Sequence, residues 1–115
     1  MNESEIRLNQ KEVCKKFKTS FCECSLDLKV GLSKGARDGL IPLNGLRHTP
    51  DQGTTGWYIY AGLEFSSDDG FFEPIHAAHL ITSAPHLLQY LGLPPGWRFL
   101  LAENHEDIWF DESLL

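Results

Sequence analysis

The chain has 115 residues, 42% hydrophobic and 23% charged, the size and balance of one ordinary globular domain, which excludes extended disorder, collagen and coiled coil. Its longest apolar runs, such as Phe99-Leu100-Leu101-Ala102, fall far short of the roughly 18 residues a membrane span requires, and the acidic start Met1-Asn2-Glu3-Ser4-Glu5 is unlike a signal peptide. A cytoplasmic protein with no membrane contact is expected. The net charge of -6 is unevenly spread, because residues 64–115 carry nine acidic side chains and one basic one, Arg98. Nucleic acid would be repelled by that half and a basic protein partner attracted.

Residues 9–20 read as an amphipathic helix with Val13, Cys14, Phe17 and Phe21 on one side and Asn9 as its cap. The pattern predicts an N-terminal helical segment, residues 1–24, ahead of a sheet-rich region, 25–115. Leu26, Leu28, Val30 and Leu32 alternate with polar residues or glycine, as in a strand with one packed and one wet face. The glycines and prolines of residues 33–55 argue for turns around at most one short strand near Leu40–Leu43. Gly56-Trp57-Tyr58-Ile59-Tyr60-Ala61-Gly62 has the β propensity of a central strand.

After the turn cluster Ser66-Ser67-Asp68-Asp69-Gly70, residues 75–80 read as a short helical or turn segment with Ile75, Ala78 and Leu80 inward. A helix capped by Ser83, with Pro85 in its first turn and Leu87, Leu88 and Leu91 inward, follows over residues 84–91. Trp97–Ala102 and Asp107–Phe110, joined by the polar loop Glu103-Asn104-His105-Glu106, form an antiparallel hairpin. Trp57 and Trp97 are expected to be largely buried. The absence of βαβ alternation favours an α+β single domain, a mainly antiparallel sheet with two or three short helices.

Chemistry is sparsely signalled. There is no GxSxG elbow, no phosphate-binding loop and no GxGxxG, so no catalytic or cofactor-binding residues are assigned and no cofactor is expected. Cys14, Cys22 and Cys24 form no metal-binding or disulfide pattern. On a helix, Glu73, His76 and His79 would share one side and make a weak metal site, but the ligand set is incomplete, and the two imidazoles are better read as structural groups at the core margin. Eleven of the 13 aromatic residues lie from Trp57 onward, overlapping the acidic half. Most belong in the core. Some, among them Tyr60, Phe71 and Trp109, stand next to carboxylates and are candidate interface anchors, with Asp68, Asp69, Glu106 and Asp107 as candidate steering charges in turns.

Three segments carry a more specific signal: Gly56–Gly62; Asp69-Gly70-Phe71-Phe72-Glu73-Pro74-Ile75-His76 with His79-Leu80; and Tyr90-Leu91-Gly92-Leu93-Pro94-Pro95-Gly96-Trp97-Arg98-Phe99-Leu100 followed by Glu106–Asp111. Over about residues 28–115 the chain resembles a family of small bacterial proteins, formerly a domain of unknown function, grouped among the predicted immunity proteins of polymorphic toxin systems. The residues that carry the resemblance are Gly56, Trp57, Phe72, Pro74, His76, His79, Gly96, Trp97, Asp107 and Trp109. The N-terminal helix lies outside it. The resemblance implies a non-enzymatic cytoplasmic protein of sheet-rich fold that neutralises a cognate toxin by direct binding. A ligand-binding or regulatory module and a metal-dependent enzyme are the alternatives.

Overall fold

A computed structural model describes residues 2–62 and 70–115. Among the described residues six strands form one sheet in the order β4-β1-β3-β2-β5-β6: β1 (Lys29–Ser33), β2 (Leu43–Arg47), β3 (Thr54–Ala61), β4 (Phe72–His76), β5 (Trp97–Ala102) and β6 (His105–Phe110). Only β1 and β3 run parallel; the other four pairings are antiparallel. The described residues also form helices α1 (Glu3–Lys16), α2 (Lys34–Arg37) and α3 (Leu80–Ser83) and three 3-10 helices, so the chain is α+β. No described helix is long and apolar enough to cross a membrane.

Alternation along β3 divides the sheet's two faces. Thr55, Trp57, Ile59 and Ala61 are buried, while Tyr58 and Tyr60 are half-buried on the other side. The first set faces the core, where Val30, Leu32, Leu43 and Phe99 meet Ile6, Val13 and Cys14 of α1 and Leu87, Leu88 and Leu91. Gly45 belongs to this face because a Cβ there would sit 2.1 Å from the Phe99 ring. The α1 residues thus close the same core as the sheet.

The helix α1 begins well before residue 9: Asn2, not Asn9, is its cap, accepting from the Glu5 N–H at 2.9 Å. Its inward stripe includes Ile6 and Gln10, whose amide donates to the Leu88 carbonyl at 2.9 Å. The strand near residues 40–43 is displaced to Leu43–Arg47. In β1 only Val30 and Leu32 lie on the expected apolar face; Leu26 and Leu28 are half-buried in the approach to it. Its other face is not wet, because Gly31 and Ser33 are also buried, with Tyr58 and Phe72 close to Gly31.

Of the expected helical or turn segment over residues 75–80, Ile75 and His76 instead end a strand, Phe72–His76, and the rest is as expected, a 3-10 turn Ala77–His79 leading into the single turn α3. Ala77, not Ala78, is the buried alanine. The next helix is the 3-10 helix Pro85–Tyr90, with Pro85 in its first turn and Leu87, Leu88 and Leu91 buried as expected. Ser83 does not cap it. Its hydroxyl donates to the His79 carbonyl instead, at 3.0 Å, inside α3.

The hairpin β5–β6 forms with a two-residue turn, Glu103-Asn104, in place of a four-residue loop. Asn104 adopts φ 58, the left-handed conformation such tight turns need. His105 and Glu106 are therefore strand residues. Trp57 is buried as expected, whereas Trp97 is only half-buried, against Phe110.

The least expected core residue is Arg47, 1% exposed. Its Nε donates to the Thr55 carbonyl, Nη1 to those of Cys22, Leu91 and Leu93, and Nη2 to that of Glu23. Five backbone carbonyls solvate a buried cation, which would otherwise be prohibitively costly to desolvate. Arg47 thereby ties β2 to β3, to the segment after α1 and to the segment before β5. Gly56, at φ 88, completes the corner, since a Cβ there would meet the His48 carbonyl oxygen at 2.1 Å.

Candidate partner-binding face

The face of the sheet opposite the core is built in rows. Register places Pro74, Gly31, Tyr58, Leu46, Arg98 and Trp109 side by side across all six strands. The next row runs Tyr60, Asn44, Leu100, Asp107. Edge-to-face contacts knit its aromatic end: Tyr58 meets Phe72 with ring centroids 5.1 Å apart, Tyr60 meets Phe72 at 6.5 Å and Phe71 meets Phe72 at 4.8 Å. Between these rings a shallow cleft of about 290 Å³ has Gly31 on its floor and Lys29, Thr54, Tyr58, Phe72 and Pro74 around it.

At the other end of the rows, Trp109 is 38% exposed, and the Arg98 guanidinium lies 5.4 Å from its ring centroid. Arg98 also pairs with Asp111 at 3.2 Å. The Ser113 hydroxyl and backbone N–H, with Arg98, hold the Asp111 carboxyl below its usual range. Asp107 is exposed next to His105, with Oδ2 3.2 Å from Nε2.

The structure thus brings Tyr60, Asp107 and Trp109 to one face, with Phe71 adjoining it through Phe72. Glu106 is elsewhere. Strand alternation turns it to the core side of β6, where the Tyr90 hydroxyl donates to it at 2.5 Å and Lys16 Nζ donates at 3.0 Å. The Tyr90 bond and the nearby Lys16 hold the Glu106 carboxyl below the usual range against the opposing effect of burial; burial first, then Glu106, pushes the Tyr90 phenol up. Glu106 bridges α1, the Pro85–Tyr90 helix and β6. Asp68 and Asp69 lie outside the described residues. Leu46, Tyr58, Asn44 and Arg98 belong to this face without having been singled out from the sequence; strict alternation counted outward from Trp57 and Phe99 would have found Tyr58 and Arg98.

The metal-site pattern does not assemble as a helix would require. Glu73 and His76 fall on opposite faces of β4, and Glu73 pairs with Arg37. The His76 and His79 rings stack with centroids 6.3 Å apart, both exposed rather than at the core margin. Among the described residues, no cluster of three His, Cys, Asp or Glu side chains is placed to hold a metal ion. Burial is the main reason the Cys14 thiol is pushed up and the Cys24 thiol rises to about 11, so neither is an activated nucleophile.

Compared with known proteins, residues 9–111 match the Imm33-like domain family. The chain belongs to the Imm33-like domain family. The match begins inside α1, so it takes in most of the helix that the motif resemblance left out. No curated protein and no solved structure matches the chain.

Proposed function

We propose that this Imm33-like protein neutralises a cognate bacterial toxin in the cytoplasm by direct, stoichiometric binding and without catalysis. The observation that carries the proposal is the family match across residues 9–111. The face described above supports it, because exposed Trp109 and half-buried Tyr58 and Tyr60 share it with the Asp107 carboxylate, and its one cation from the acidic half, Arg98, is already paired with Asp111, which suits a basic protein surface. Charge complementarity accelerates encounter, and desolvated aromatics slow release.

The decisive experiment is capture of the chain's partner from the native cell, co-expression of the chain with that partner, and titration of the purified pair. Growth should be restored, and toxin activity should fall to zero at one chain per toxin. Failure of both rescue and complex formation overturns the proposal. Protection by a small fraction of one equivalent overturns its binding mechanism in favour of an enzymatic one.

A further inference from the structure

The sheet has two edges, β4 and β6, and their backbones differ. In an antiparallel pair alternate residues exchange both hydrogen bonds with the neighbour, and the residues between them point their N–H and C=O groups outward. On the β4 side, the Ala77 N–H donates to the Leu28 carbonyl at 2.8 Å, so Ile75 and Glu73 bond inward while His76, Pro74 and Phe72 face out. Pro74 sits in the middle of that outer row and has no N–H to offer, a recognised way of blunting an edge.

On the β6 side, the Asp111 N–H donates to the Gly96 carbonyl at 2.7 Å. Trp109, Asp107 and His105 therefore bond inward to β5, and Phe110, Ile108 and Glu106 present their backbone groups outward. None of the three is proline. Among the described residues no strand pairs with this side. The same strand carries Trp109 and Phe110, at 38% and 49% exposed, among the exposed large apolar residues.

The charge around this edge is one-sided. Residues 99–115 contain Glu103, Glu106, Asp107, Asp111 and Glu112 and no Lys or Arg. The cations that reach them, Lys16 and Arg98, are each paired with a carboxylate already. Two copies of β6 pairing with each other would gather both copies' Glu106 and Asp107 in a few residues of ladder, which like-charge repulsion opposes. A basic strand would relieve that charge.

We infer that the toxin docks by adding an extended, lysine- or arginine-bearing segment to the outer edge of β6, hydrogen-bonded to Glu106, Ile108 and Phe110 and flanked on the open face by Asp107 and Trp109. This rests on the immunity reading above and assigns its surface. Main-chain bonds supply a share of the affinity that does not depend on side-chain identity, and the alternate side chains supply the choice of partner.

The test is amide hydrogen exchange on the full chain, alone and saturated with the partner captured and titrated as above, together with affinities of D107K, W109A and E73K. Binding should protect the Glu106, Ile108 and Phe110 amides. The Asp107 and Trp109 amides, bonded to β5, should be slow in both states. D107K and W109A should weaken binding at least tenfold with native thermal unfolding, and E73K, at the blunted edge, should leave affinity within twofold. A neutralising complex in which the three outward amides still exchange freely overturns the docking mode while the immunity reading stands. Protection of those amides in the chain alone at high concentration makes the occupant a second copy and also overturns it. Neither complex nor rescue removes both proposals.

Discussion

The guanidinium of Arg47 lies 5.7 Å from the ring centroid of Trp57, and both side chains are 1% exposed. The indole N–H donates to the Leu91 carbonyl at 2.9 Å, one of the carbonyls that Arg47 also engages. A cation stacked on an aromatic face and solvated only by main chain is a single joint at which β2, β3 and the segment leading to β5 meet.

Removing that joint strands several buried carbonyls. Arg47→Ala should destabilise the protein by about 3–5 kcal/mol, and Arg47→Lys should recover only part of this because an ammonium cannot span the same acceptors. Urea unfolding measures it. A loss below about 1 kcal/mol would show that water replaces the guanidinium without difficulty.

The contact between Gly45 and Phe99 predicts a compensating pair. Gly45→Ala drives a methyl into the Phe99 ring and should cost about 1–3 kcal/mol, as overpacking does. In a Phe99→Leu background the same change should cost less, so a double-mutant cycle should give a favourable coupling. Additive effects would mean that the strands separate locally instead.

Glu106 makes stability depend on acid. Its folded carboxyl titrates below its ordinary value, so its contribution is complete above that ordinary value and is lost as pH falls through the folded one. Its partial exposure limits the contribution to about 1 kcal/mol. The stability gap between wild type and Glu106→Gln should therefore be constant near neutrality and shrink below about pH 4.5. A gap unchanged at pH 3 contradicts the assignment.

Because His76 and His79 are both exposed, replacing the pair by Gln should change stability by less than about 0.5 kcal/mol, a smaller effect than histidines wedged at the core margin would give. Metal content of protein purified without chelator should be the same for wild type and variant. Stoichiometric zinc in the wild type alone would restore the ligand reading.

Electrostatic steering of the proposed partner predicts a kinetic signature. Raising salt from about 0.05 to 0.5 M shortens the Debye length from roughly 14 to 4 Å and should slow association markedly while dissociation changes much less. Reversing Asp68 and Asp69 together should act in the same direction. An association rate indifferent to both would place recognition on uncharged contacts.

Much of the architecture is legible in local pattern. The glycine-bounded aromatic run became β3, flanked by β1 and β2, and the Gly96-Trp97 and Asp107–Phe110 segments became the hairpin, because alternation and punctuation act over a few residues. What was missed depends on distant groups. Gln10 concealed the true stripe of α1, since its burial is made tolerable only by a carbonyl 78 residues away. Arg47 looks like surface until three separate segments aim carbonyls at it. Glu106 and Asp107 are neighbours of like charge, yet strand alternation sends one to a structural bridge and the other to the open face, and the length of the turn decides which.

The bond from Lys16 to Glu106 spans 90 residues, and the pairing of β2 with β5 joins segments made far apart in time during synthesis. A ribosome that has released α1 through β4 has produced helices and strands without the Tyr90–Glu106–Lys16 bridge and with one side of β2 still open. Such an intermediate exposes an unfinished sheet to any neighbouring nascent chain. Closing these long loops is also an entropic burden that slows folding. Closure of the sheet therefore waits until residues 97–110 emerge, so the chain acquires its finished partner face and its outer β6 edge last.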